Sequence, residues 1–179
     1  MDVKSIILGL LHYREMSGYD IKQFFTSSIG FFYDASYGAI YPALKKLEQE
    51  GYVTKEEVLQ SGKPNKIMYG LTQQGRDQFH QELKTEIEGP IVRSDMLTRL
   101  FFCDLHTAED QKHFFDDLIA YQEKRQEIIR NSYQKSMQDL NEYQKMCWEY
   151  TLHQLDGAIQ FLKGKKQMMD KGQNVAHIS

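Results

Sequence analysis

Two rhythms of apolar residues alternate along this chain. Residues 3–12 (VKSIILGLLH) form a short apolar helix. Ser17 and Asp20, three apart, make a capping box in its acidic form. The helix it opens turns Ile21, Phe24 and Phe25 inward. After the aromatic connection Phe31-Phe32-Tyr33, the positions Ile40, Ala43, Leu44 and Leu47 recur at three- and four-residue spacing. That spacing is one buried face of a third helix. Ser36 is its expected N-cap and Gly51 its left-handed end. Pro42 removes one hydrogen bond inside it and its ring meets the carbonyl of Gly38, so a bend or a tight first turn is expected rather than a break.

Beyond Gly51 the period shortens to about two. Tyr52 to Val58 and Ile67 to Leu71 read as strands, the second with Ile67, Tyr69 and Leu71 on one face. The polar segment LQSGKPNK between them reads as a hairpin tip carrying Lys63 and Lys66. Thr72 then caps a helix running towards Gly89. The pair Gly89-Pro90 marks the expected boundary: a winged helix-turn-helix domain at 1–89, a helical dimerisation domain at 90–171 and a loose tail at 172–179. Val92 to Cys103 is a short amphipathic helix. Thr107 to Asp110 is a second capping box, opening a rod to about Leu140, on the order of 50 Å long at about 1.5 Å per residue. Its apolar positions include Phe114, Leu118, Tyr121, Ile128, Ile129, Tyr133, Met137 and Leu140. Trp148, Leu152, Leu155, Ile159 and Leu162 follow as a heptad seam. Such a seam takes either the preceding rod or the same helix of a second subunit, and a dimer built by the long C-terminal helices is expected. The fold class is therefore mostly α with a small β hairpin: an N-terminal winged helix-turn-helix plus a C-terminal long-helix dimerisation domain.

The 41% hydrophobic content supplies cores, while a mean hydropathy of -0.59 leaves a charged surface. No apolar run approaches the roughly 20 residues that span a bilayer, and the start shows no cleavage signal. No membrane partner and a cytoplasmic location are expected. Cys103 and Cys147 are too few for a disulfide scaffold; a redox role for them stays open. The six histidines are scattered without metal-ligand spacing. Neither a phosphate-cradling glycine loop nor a nucleophile elbow occurs. The chain is thus read as no enzyme, with no cofactor and no metal.

A net charge of -3 and a pI near 6.1 argue against indiscriminate coating of nucleic acid. Positive charge for DNA must be gathered locally. The outer face of the third helix offers it: Tyr37, Ala39, Tyr41, Lys45 and Lys46 look outward, with Glu48 and Glu50 only at the back. Tyrosines first, lysines next and acids last suit a helix entering a major groove by its front end. On this segment alone, an ordinary amphipathic helix with a wet polar face fits as well. Three helices, a basic-tipped hairpin and a further helix together describe a winged helix-turn-helix, whose hairpin reaches neighbouring backbone or minor groove.

The motifs SGYDI (Ser17 to Ile21), IYPAL.KLE (Ile40 to Glu48) and GKP…Y.LT..G (ending at Gly75) occur in order across about the first 75 residues. In these the chain resembles the PadR family of bacterial transcription regulators, and its C-terminal part resembles the larger members. It departs at Tyr37, Gly38 and Ala39, where relatives carry longer polar residues. The resemblance implies a homodimeric repressor on double-stranded DNA with an inverted repeat. Tyr37, Ala39 and Tyr41 would then lie at base edges, Lys45 and Lys46 on phosphate, with Ser36 also among the DNA-binding residues. Lys63 and Lys66 would grip backbone at the wing, with Ser17 and Tyr19 on the opposite strand. It also implies an aromatic small-molecule effector between the winged domain and the C-terminal helices, with Trp148 and Tyr150 as candidates to line the pocket; filling of core and interface is the favoured explanation of the aromatics. The alternative function is a winged-helix protein-interaction module without DNA binding, favoured by the acidic net charge.

Overall fold

The computed structural model describes residues 1–31, 33, 37–59, 65–87, 89 and 94–172, with Tyr37 in backbone only. Contacts divide the chain into two compact units, Met1–Pro90 and Ile91–Ser179.

The first unit begins with α1 (Val3–Tyr13), capped by Asp2, whose carboxylate accepts from the Ser5 amide at 2.9 Å. The two-residue strand β1 (Met16–Ser17) leads into α2 (Gly18–Ser27). Here the capping box forms as the spacing predicts: the Asp20 amide donates to Ser17 Oγ at 3.2 Å and the Ser17 amide to Asp20 Oδ2 at 3.0 Å. A 3-10 turn over Tyr37–Ala39 feeds α3 (Ile40–Gln49). Pro42 therefore falls at the third helical position, where an amide would have no partner within the helix anyway. That is the tight first turn expected of it. Gly51 leaves α3 at φ +75, in the left-handed region that glycine adopts without strain.

The strands β2 (Val53–Val58) and β3 (Lys66–Leu71) pair antiparallel from Val53↔Leu71 to Val58↔Lys66. β1 adds a third strand on the other side of β3, with Met16↔Tyr69 and Ser17↔Met68. A two-residue strand has no period of its own, so the hydrophobic pattern predicts only the hairpin. α4 (Gln73–Glu82) starts at Thr72 as expected but stops well short of Gly89. Beyond it Leu83 is 56% and Ile87 99% exposed. One core joins these elements through Ile7, Leu11, Ile21, Phe25, Leu44 and Val53, with Phe79 of α4 packed against it.

The second unit holds α5 (Asp95–Phe101), α6 (Ala108–Ser136) and α7 (Glu142–Asp170). Thr107 caps α6, but only half of the expected box forms: Asp110 takes its second bond from the Thr107 hydroxyl, at 2.7 Å, rather than from the Thr107 amide. A full box forms instead at Asn141 and Gln144, where α7 begins. α6 and α7 pack as an antiparallel hairpin. Trp148, Leu155, Ile159 and Leu162 are buried in it, and Trp148 stacks on Tyr133 of α6 at 5.8 Å. The heptad seam is thus closed by the preceding helix of the same chain, one of the two partners open to it. On α6 the buried stripe is Phe115, Leu118, Ile119, Gln122 and Ile129, whereas Tyr121 and Ile128 face outward, as does Met137 just past its end. Ion pairs flank the hairpin: Lys163 with Glu123 at 2.6 Å, Lys112 with Asp170 at 3.3 Å, and Lys166 with Asp116.

Candidate nucleic-acid interface

α2 and α3 form the helix-turn-helix. Ile40, Leu44 and Leu47 anchor α3 in the core, which obliges the opposite face to look outward. Tyr41 is 54% exposed, and Lys45 lies one turn further along the same face, also exposed. No described carboxylate pairs with Lys45, whereas Lys46 lies 3.9 Å from Glu50. Glu48, at the back of the helix, pairs with Lys55 of β2 at 3.9 Å. The Tyr41 ring leans over the start of α2, so closely that a Cβ built on Gly18 would stand 2.7 Å from Tyr41 Cε1. Nearby, burial and then the negative potential of Glu48 and Tyr41 push the Tyr69 phenol above its usual range.

A second cluster sits at the same end of α2. One oxygen, Asp20 Oδ2, accepts from Ser17 Oγ at 2.7 Å, the Ser17 amide at 3.0 Å and Lys66 Nζ at 2.9 Å. Partial burial pushes this carboxyl up, but the Lys66 ammonium and the Ser17 donors outweigh it and hold the group at about 2. Lys66 thus differs from its expected place at a loop tip. The ladder reaches Val58↔Lys66, so the residue opens β3 and its charge has a partner in its own chain. Ser17 is also drawn inward, 5% exposed with its hydroxyl engaged by the cap. Tyr19 remains 67% exposed.

The structure therefore gathers Ser17, Tyr19, Tyr41 and Lys66 around the first turn of α2, with Lys45 alongside and Ala39 ending the 3-10 turn before α3. Ser36 and Lys63 lie outside the described residues, as does the Tyr37 side chain. Asp20 was legible as a cap; its grip on Lys66 was not, because only the hairpin register brings residues 46 apart together.

In the second unit Trp148 and Tyr150 do not share a lining: Trp148 is buried under Tyr133, while Tyr150 is 65% exposed. Two positions along a helix is about 200° of rotation. A cavity of about 520 Å³ opens elsewhere, between α5 and α6, lined by Met96, Arg99, Leu118, Tyr121, Gln122 and Arg125 among others. Arg99 Nε donates to Asp95 at 2.7 Å, and Gln122 Oε1 is buried with no hydrogen-bond partner. No spacing rule in the sequence signals this cavity. Burial and Asp104 push the Cys103 thiol up, away from reactivity. Among the described residues no group of three or more His, Cys, Asp or Glu could hold a metal ion, and no helix is long and apolar enough to cross a membrane.

The model of the transcriptional regulator PadR-like family matches residues 7–81. The chain is 33% identical over 136 residues to the negative transcriptional regulator PadR of Bacillus subtilis, covering 75% of each protein. Among solved structures, it resembles the PadR-like regulator BC1756 of Bacillus cereus at a TM-score of 0.85 and 30% identity, over 96% of this chain and 100% of that one. It resembles B. subtilis PadR in complex with operator DNA at 0.83 and 28%, over 93% and 98%, and the same protein in complex with p-coumaric acid at 0.79 and 26%, over 94% and 95%. With the helix-turn-helix, the three-stranded wing and the long C-terminal helices in the same order, this chain belongs to the PadR-like family of transcriptional regulators.

Proposed function

We propose that this chain is a homodimeric regulator that binds an inverted-repeat operator and represses transcription until a small aromatic acid releases it. One observation carries the reading. Tyr41 of α3 meets the start of α2, where Asp20 holds Lys66 at the root of the wing, and Lys45 stands exposed one turn further along α3, in a chain similar over most of its length to a regulator solved on its operator. Ala39, Tyr41 and Tyr37 would lie at base edges, with Ser36 at the entry of the helix. Lys45 and Lys46 would lie on phosphate, with Lys63 at the wing and Ser17 and Tyr19 at the neighbouring strand, while Lys66, paired with Asp20 at the root of the wing, is not counted among the phosphate contacts. A protein-interaction module has no comparable support, since the similar proteins with stated roles are regulators of transcription. The chain acts by binding rather than by catalysis, and acts in the cytoplasm.

Because α6 already covers Trp148, Leu155, Ile159 and Leu162, a second subunit meets the outer side of the hairpin. There Tyr143, Met146, Tyr150 and Phe161 stand exposed on α7. Leu152, only partly covered, lies at the edge of the seam rather than on that outer side. For the effector, the α5–α6 cavity suits an aromatic acid better than Trp148 and Tyr150 do. Arg99 and Arg125 line the same cavity, and Met96, Leu118 and Tyr121 offer apolar surface to a ring.

The test is retention of the DNA upstream of the chain's own coding region, measured at several salt concentrations against excess competitor. If each subunit neutralises about four phosphates, the log–log slope is about -7. A slope near zero refutes the reading. Release of the complex by p-coumaric acid, lost on Arg125→Ala, tests the effector.

A further inference from the structure

The ion pair between Asp20 and Lys66 joins two elements that a winged helix turns towards DNA, the first turn of α2 and the root of the wing. Neither group is deeply buried: the side chains are 33% and 38% exposed, so a phosphate can compete for the ammonium. Yet the pair is well built. Asp20 Oδ2 collects three donors within 3.0 Å, two of them from Ser17, and is thereby fixed in place by the cap of α2.

Such a pair changes what Lys66 contributes to DNA binding. A free surface lysine that meets a phosphate sets a condensed cation loose, which is the source of salt-dependent, sequence-blind affinity. A lysine that must first leave a carboxylate strands that carboxylate, which then takes up a cation from solution. The two ions cancel. From this geometry we infer that Asp20 sets the chain's sequence-blind affinity: by holding Lys66 on a carboxylate of its own chain, it suppresses attraction to phosphate of any sequence, operator and random duplex alike. This rests on the DNA-binding reading above, and it fits a chain whose net charge of -3 already disfavours indiscriminate binding.

The experiment measures binding of the full-length dimer to a short random-sequence duplex and to the upstream DNA, between about 50 and 200 mM salt. Asp20→Asn keeps an acceptor for the cap but releases the ammonium. On the random duplex its slope steepens by about 0.9 per subunit, equivalent to about five-fold tighter binding at 0.15 M for each added contact. The slope on upstream DNA steepens by the same amount, so the ratio of the two affinities is unchanged. Lys66→Ala alone leaves the random-duplex slope unchanged, and added to Asp20→Asn it restores the wild-type slope. Should Asp20→Asn fail to fold, Lys66→Ala still decides. Flattening of its slope by about 0.9 per subunit shows that Lys66 was an ordinary phosphate contact and overturns the inference. Equal slopes for wild type and a folded Asp20→Asn overturn it too. If wild type binds neither duplex, the DNA-binding reading itself fails and takes this inference with it.

Discussion

Gly75→Ala is expected to unfold much of the first unit's stability through one methyl group. The Cβ it adds would stand 2.2 Å from the Tyr52 carbonyl oxygen and 2.8 Å from Leu71 Cδ1. Ordinary contact begins at about 3.4 Å, so something must move by about 1 Å. The Tyr52 carbonyl cannot move freely: it accepts from the Thr72 amide at 3.1 Å and from Thr72 Oγ1 at 3.0 Å. The same hydroxyl donates to the Gly51 carbonyl at 2.8 Å and accepts from the Gly75 amide at 3.0 Å. Overpacking of this kind costs about 1–3 kcal/mol, and each displaced hydrogen bond about 1 kcal/mol more. Alanine returns up to about 1 kcal/mol through helix propensity. The net loss is about 2–4 kcal/mol, or roughly 10–25 °C in Tm for a unit of this size. Far-UV circular dichroism on heating measures it, while fluorescence of Trp148, the single tryptophan, reports the second unit separately. Gly157→Ala is the matched control: a Cβ there meets nothing within 4 Å, and stability should rise by about 0.4–1 kcal/mol. A Gly75→Ala protein that melts with wild type would refute the close approach.

Three further outcomes are expected. The Asp20 carboxyl sits at about 2 in the fold against 3.8 ordinarily, so its stabilisation is complete above the ordinary value and disappears as pH falls through the folded one. The acid limb of a Tm–pH curve should be shallower for Asp20→Asn than for wild type across that window. Leu44→Ala removes a fully buried side chain and should cost about 2–5 kcal/mol in urea denaturation; a loss below 1 kcal/mol would show a core able to collapse around it. Lys45→Ala, exposed on α3, should leave Tm unchanged but reduce the salt slope on upstream DNA by about 0.9 per subunit, the opposite of the Lys66→Ala result.

Periodicity carried most of this fold because most of its elements bury one face against a neighbour. Ile40, Leu44 and Leu47 point α3 outward along Tyr41 and Lys45 without any knowledge of contacts, and the Ser17–Asp20 spacing alone locates the start of α2. In the LT..G motif Thr72 is transparent as a cap, whereas the close approach of Gly75 to Tyr52 is visible only in the structure. What stayed hidden depends on register or on choice of partner. β1 is too short to show alternation, and Lys66 meets Asp20 only because β3 begins where it does. The apolar seam on α7 announced a partner helix without saying whose, since heptad spacing is the same for a hairpin and for two chains. The α5–α6 cavity comes from residues with no common spacing, and no sequence pattern could have marked it.

Pro42 has one consequence for recognition. A helix normally frays at its leading end, and a duplex that captured such an end would have to freeze it first. Here the pyrrolidine ring fixes the backbone within the first turn, just behind the 3-10 winding of Tyr37–Ala39. Were α3 to enter a groove by this end, as proposed, a first turn fixed by the ring would lose less entropy at docking than a frayed one.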